Sequence, residues 1–412
     1  MGRRGHNIVA GLDIGTTKIC AIVGELQNDG TLAIIGVGSQ PSHGLKKGVV
    51  VNIDSTVESI RQAVDEAQLM AGVDINSAVV GIAGGHITGL NSTGIIAVKS
   101  QEITLREINQ VIDAARAVSL PMDREVIHIL AQEYIVDDQD GILDPLGMAG
   151  RRLEARVHIV TAAVASAHNL VKCVNKAGLE VEDIILEQLA SAEATLTPDE
   201  RELGVVIIDI GGGTTDIALF AGGSVKHTAV LAVGGNHITN DLAYGLGLLG
   251  PEAELLKKAQ GCAYLPLVDS QQMVEVKGIT ELQPQKVGCL DLYDIIEPRV
   301  EEMLQMARRE IMQSSYAEGT PAGIVLTGGT VLLQGIVELA REVFHVPVRC
   351  GIPIGIGGLV GMVDNPMYAT GVGLLQYGLK QLPYGHSHKF DDEHLFAKIY
   401  YRMRDWFGEF LA

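Results

Sequence analysis

Two short stretches carry the side chains that phosphate chemistry needs. Asp13-Ile-Gly15-Thr16-Thr17-Lys18 and Asp209-Ile-Gly211-Gly212-Gly213-Thr214-Thr215 each follow an aliphatic run and lead into another. Glycines let backbone N–H groups point into a turn, and threonine hydroxyls add donors, so each turn can cradle a phosphate. Asp13 and Asp209 end their apolar runs as hard oxygen ligands suited to a hydrated Mg2+. Lys18 can reach a β- or γ-phosphate as a point charge. Either stretch alone reads equally well as an ordinary tight β-turn. Two copies about 200 residues apart, a domain's length, read as a duplicated domain with one strand–turn–strand hairpin in each half.

A third glycine turn follows. GIVLTGGTVLLQGIVELA (323–340) reads as a buried strand, a turn at Gly328-Gly329 and a helix, which lets a flat ring or a ribose lie against the backbone. Helical patterns surround these turns. Asp54 opens an amphipathic run that stops at Gly72, Thr104 and Glu107 form a capping box, and Pro251 and Gly261 bracket a short helix. Residues 85–162 read as a small α+β insert, and a longer helix rich in Glu and Arg spans 293–315. GIPIGIGG (351–358) has the glycines of a dinucleotide loop but no βαβ unit with a downstream acid.

The totals set limits. A chain of 412 residues exceeds one compact core and implies two or more domains. Forty-nine glycines against seventeen aromatic residues suit a nucleotide-binding α/β protein with many close backbone approaches. A formal charge of −19 argues against nucleic acid as a partner, because its phosphates would repel the body. Five scattered cysteines without a CxxC pair read as reduced thiols. The start carries no apolar signal core, and no long uncharged apolar run could span a bilayer.

With Asp at the first two of its three ordered glycine turns, the chain resembles the actin-like ATPase superfamily across residues 8–380. That resemblance implies a duplicated, ribonuclease H-like α/β fold of two lobes binding ATP with Mg2+. Asp13, Gly15, Thr16, Thr17 and Lys18 would form the first phosphate loop, and Asp209, Gly211, Gly212, Gly213, Thr214 and Thr215 the second. Gly235, Gly328, Gly329 and Thr330 would line the nucleoside. Glu254 and Lys257 match the pair that clasps adenine and ribose, although their spacing equally describes an exposed i,i+3 ion pair. Asp13 and Asp209 would hold the metal.

Four further stretches are similar to the FtsA family of bacterial division proteins: 42–60, 81–95, 182–204 and 348–378. The implied organisation is a first lobe of 1–84 and 163–204, an inserted small subdomain of 85–162, and a second lobe of 205–382 with 236–318 as its smaller part. A linker, 383–393, and a C-terminal amphipathic helix, 394–412, complete it. Where the family commonly has Gln-Pro before Leu-Ala-Ser, this chain has Glu187-Gln188. Glu187 is a candidate base for an attacking water or, more simply, a helix cap. At most slow ATP hydrolysis is expected.

The last nineteen residues, HLFAKIYYRMRDWFGEFLA, hold six of the seventeen aromatic residues and the one tryptophan. At about 100° per residue, Leu395, Phe396, Ile399, Tyr400, Met403, Trp406, Phe407, Phe410 and Leu411 share one arc of roughly 160°. A bare face of that kind needs a cover, either the protein's own body or a bilayer interface. The family resemblance implies the membrane, and so a peripheral location on the cytoplasmic face of the inner membrane at the division site. It also implies partners: the C-terminal peptide of the tubulin-like FtsZ, met by Arg299, Arg308 and Arg309, further copies of the chain in a filament, and later division proteins at the insert. Rival functions on the same fold are a sugar- or acetate-type kinase and a pilus-assembly ATPase. His386, His388 and His394 form only a loose cluster in the polar linker region, too unconstrained to fix a metal's geometry.

Overall fold

The computed structural model describes residues 7–100, 102–276, 285–314 and 320–381. The linker and the aromatic-rich C-terminal segment, with the three linker-region histidines and the nine apolar positions named above, lie outside the described residues.

Two sheets dominate, and their strand orders repeat. The first runs Leu32–Pro41, Lys18–Leu26, Ile8–Ile14, Ser77–Ile82, Glu180–Leu186, with the short strand Ile356–Gly358 added beside Leu32–Pro41. The second runs Ser224–Leu231, Thr215–Ala221, Val205–Ile210, Ile324–Thr327, Val348–Cys350. In both, three antiparallel strands joined by hairpins are followed by two parallel ones. The strands carrying Asp13 and Asp209 sit at the same central position of their sheets. Both are near-continuous aliphatic runs, as expected of strands covered on both faces. The duplication read from the two hairpins therefore extends through the whole sheet order.

Helices cover these faces and brace the turns. Ile53–Ala71 begins one residue earlier than the pattern suggested. Its cap is Asn52, whose extended backbone (φ −143°) lets the side chain accept from Ser55 N–H, and it ends at Gly72 in the left-handed region. Leu105–Arg116 starts at the Thr104–Glu107 capping box, and Gly250–Gln260 carries Pro251 in its first turn. The long helix is Cys289–Gln313, four residues longer at its start than the pattern suggested, and it contains Pro298. Its buried face, which includes Ile296, Val300 and Leu304, joins the core of the second sheet.

A separate four-stranded antiparallel sheet, in the order Thr88–Ala97, Arg152–Ala163, Arg124–Val136, Gln139–Ile142, packs against the helix Leu105–Arg116. It has its own core, in which Tyr134, Leu153 and Ile159 are fully buried. The glycine-rich 351–358 segment makes no nucleotide loop. Ile356–Gly358 is an edge strand parallel to Leu32–Pro41.

Candidate nucleotide-binding site

The two hairpin turns close with the same bond. Gly15 N–H donates to the Lys18 carbonyl and Gly211 N–H to the Thr214 carbonyl, each at 3.0 Å. The turns also touch each other. A Cβ on Gly212 would lie 2.4 Å from Thr17 Cγ2, and one on Gly213 would lie 2.5 Å from Thr16 Oγ1. Only bare backbone permits that approach, so both glycines are fixed by the meeting of the two halves.

The third turn joins them. Gly328 has φ +92°, and any side chain there would strike Asp209 Oδ1 at 2.3 Å. Thr330 Oγ1 donates to the Gly211 carbonyl at 2.8 Å. Gly235 N–H donates to Gly211 O at 2.9 Å, and Asn236 N–H to Gly212 O at 2.8 Å. These bonds set the start of the helix Gly235–Leu246 directly on the second loop.

Glu254 and Lys257 lie on the next helix, Gly250–Gln260, but they are no exposed surface pair. Lys257 is buried, with Nζ 2.6 Å from Glu254 Oε2, 2.8 Å from Thr239 Oγ1 and 3.0 Å from the Gly235 carbonyl. Burial pulls the Lys257 ammonium down from its ordinary range, and Glu254 partly restores it. Burial raises the Glu254 carboxyl, but hydrogen bonds from Lys257 and Thr239 outweigh that and hold it low. The pair persists as an ion pair aimed at Gly235.

Four electrostatically linked carboxylates lie in this region, with Lys18 beside Asp13. Asp13 and Asp209 are both buried, and Lys18 Nζ stands 3.8 Å from Asp13 Oδ2. Burial pushes the Asp13 carboxyl up to about 6, with Lys18 opposing and Asp209 assisting. Asp216, across the strand pair from Asp209, is pushed up to about 8, by burial first and then by Asp209. Its Oδ1 is buried with no hydrogen-bond partner. Glu187 is held well above the usual carboxylate range by burial and by Asp13, Asp216 and Asp209. Carboxyls raised together by burial and by one another mark a place where a bound cation would favour their charged forms. Among the described residues no three His, Cys, Asp or Glu side chains converge as a ligand set. The donor set therefore fits a magnesium ion that takes one or two carboxylates and fills its octahedron with water and phosphate oxygens.

Glu187 and Arg299 both have defined surroundings in the structure. Glu187 begins the helix Glu187–Thr195, which has no side-chain cap, and its carboxyl is raised by burial and by Asp13, Asp216 and Asp209. Arg299 is half-buried in an ion pair. Its guanidinium bonds Asp241 of the helix Gly235–Leu246 at 2.5 Å and also contacts Glu302. Arg309 remains exposed and Arg308 half-buried on the same helix.

Sequence reasoning missed several members of the site. Ser191 and Thr370 hydroxyls both donate to Asp209 Oδ2, the second at 3.1 Å. Asp216 was visible only as a charge interrupting an apolar run. Met367 and Tyr368 grip Lys18 from the far end of the chain. The Thr-Thr-Asp run shared by no other turn was the one available signal for Asp216.

A duplicated sheet with a glycine hairpin in each half and a third glycine turn closing the cleft defines an actin-like ATPase fold. Solved structures agree. A protein of the PilM–PilN type IV pilus biogenesis complex aligns with TM-score 0.67 and 18% identity over 92% of this chain and 99% of that one. MreB5 of Spiroplasma citri bound to ADP aligns with TM-score 0.55 and 15% identity, with the same two shares. At such identities these likenesses speak for the fold alone.

Sequence relatives go further. The family model described as cell division protein FtsA matches residues 206–373, and the SHS2 domain inserted in FtsA matches 84–161. The cell division protein FtsA of Pseudomonas aeruginosa is 51% identical over 380 residues, 92% of this chain and 91% of that protein. That of Escherichia coli K12 is 41% identical over 380 residues, 90% of each. The chain belongs to the FtsA family of cell division proteins.

Proposed function

We propose that this chain binds ATP with Mg2+ between its two hairpin turns, assembles head to tail into filaments, and ties FtsZ filaments to the cytoplasmic membrane. The observation that carries this reading is the meeting of the turns: Thr16 and Thr17 of one half stand against Gly213 and Gly212 of the other. A phosphate chain bound there touches both halves at once, so nucleotide would fix their relative position. Asp13 and Asp209 hold the metal, Lys18 reaches the terminal phosphates, and Glu254 and Lys257 flank the nucleoside. Magnesium neutralises phosphate charge in such a site. Burial and the neighbouring carboxylates push Glu187 and Asp216 upward beside that charge.

The same reading divides the chain into a first lobe of 1–84 and 163–204, an insert of 85–162 that receives later division proteins, and a second lobe of 205–382. The FtsZ peptide, being acidic, docks on the Cys289–Gln313 helix, where Arg309 is exposed and Arg308 half-buried; Arg299 takes part only if peptide carboxylates displace Asp241. The segment 394–412 lies on the membrane surface, and no helix among the described residues is long and apolar enough to cross a bilayer.

Titration calorimetry with MgATP tests the centre of this proposal. Saturable heat is expected for the intact chain, with binding at least tenfold weaker in Asp13→Ala and Asp209→Ala, since each removes about 1.4 kcal/mol or more of charge-assisted contact. Folded protein that gives no heat with any adenine nucleotide would refute it.

A further inference from the structure

Among the described residues Lys18 is the one ammonium beside the acidic cluster, and the structure shows what else holds it. Its Nζ donates to the Met367 carbonyl at 2.5 Å and stands 4.5 Å from the centroid of the Tyr368 ring. Asp13 lies farther off, at 3.8 Å. An ammonium has three N–H donors, and a carbonyl and a ring face already take two of its directions, with the Asp13 carboxylate nearby but beyond hydrogen-bond distance. We propose that Tyr368, together with the Met367 carbonyl, forms a rest for the Lys18 ammonium that competes with nucleotide phosphate for it.

The rest is rigid. Met367 N–H is held by Asn365 Oδ1 and Tyr368 N–H by the Asn365 carbonyl, both at 3.0 Å. The same short segment touches the other two turns. The Pro366 carbonyl accepts from Gly328 N–H and from Thr327 Oγ1, each at 3.2 Å, and Thr370 donates to Asp209. Residues 366–370 therefore join the lysine of the first turn to the aspartate of the second and the glycine of the third. A phosphate that draws Lys18 away must break a carbonyl hydrogen bond and a cation–ring contact, and this cost lowers apparent affinity. The segment is a positioning device set against the ligand, and it gives the nucleotide-dependent pull on Lys18 a path to both other turns.

The inference rests on the proposed nucleotide site, and a double-mutant cycle separates the two. Tyr368→Leu removes the ring face but keeps an apolar side chain against the buried cluster on which Tyr368 packs. MgATP affinity by calorimetry should rise roughly two- to tenfold, the range set by an ammonium–ring contact of this kind. Tyr368→Phe should match the parent chain, because the ring face remains. In a Lys18→Met background, Tyr368→Leu should change nothing. Three results overturn the proposal: unchanged affinity in Tyr368→Leu, weaker affinity in both backgrounds, or a gain that persists without Lys18. Should Tyr368→Leu fail to fold, Tyr368→Met supplies the same comparison. A parent chain that binds no adenine nucleotide sinks the site itself, and the rest with it; a parent that binds while Tyr368→Leu is indifferent sinks the rest alone.

Discussion

Asp13 and Asp209 occupy equivalent places and are equally buried, yet they are satisfied differently. Asp209 takes two hydroxyl donors, Ser191 and Thr370, which also touch each other at 2.9 Å, whereas the nearest cation to Asp13 is Lys18. Burial raises Asp209, and those two hydroxyls pull it back toward the charged form. Removing one donor from a buried carboxylate costs about 1–3 kcal/mol. Ser191→Ala and Thr370→Val should each lower unfolding stability by that amount, read from urea melts. Because both donors share Oδ2, the double variant should lose less than the sum; strict additivity would show that the hydroxyls act independently. The aspartates themselves were legible, since a charged residue closing an aliphatic run before glycine has few structural excuses. Their partners were not. Ser191 is 18 positions from Asp209 and Thr370 is 161, and nothing local marks either hydroxyl as facing it.

Elements were legible where their signals are local. The strand–turn–strand hairpins, the Thr104 capping box and the Gly72 stop all depend on residues within a few positions. What joins one element to another was hidden. The four-stranded sheet meets the strand Ser224–Leu231 through a polar seam in which Gln132 donates to the Val225 carbonyl and Ser224 Oγ to the Gln132 carbonyl. It also reaches the site, since His128 Nε2 accepts from the N–H of Leu186, the residue before Glu187. At the centre of the seam His158 bonds Asn91 and Thr228. Burial, with His227 adding to it, pulls the His158 imidazole down to about 3. A histidine depressed in the folded state binds its proton sooner when unfolded, so its contribution holds above pH 6.5 and drains away as pH falls toward 3. Between pH 7 and pH 5 that loss is roughly 2 kcal/mol. His158→Gln, neutral throughout, should show a correspondingly flatter pH dependence in urea melts. Equal slopes for the two proteins would mean that His158 is not the group responsible.

At the scale of the whole molecule, charge and apolar surface are set apart from each other. The chain carries −19, which holds its body off an anionic bilayer, while the segment 394–412 gathers Lys398, Arg402 and Arg404 beside nine large apolar residues. In the proposed reading, a segment of that composition would bind a bilayer interface reversibly on its own, because ordering it offsets much of the burial. Many such segments displayed along the proposed filament would bind by avidity. Two outcomes follow from this arrangement. Deleting 394–412 should leave MgATP binding intact and abolish co-sedimentation with vesicles containing anionic lipid, and a truncated chain that still sediments would remove the tether. Conditions that drive assembly should also tighten vesicle binding of the full chain far more than they tighten binding of a single copy. If vesicle binding is the same whether or not filaments form, each copy anchors alone, and the coupling between the nucleotide cleft and the membrane is lost.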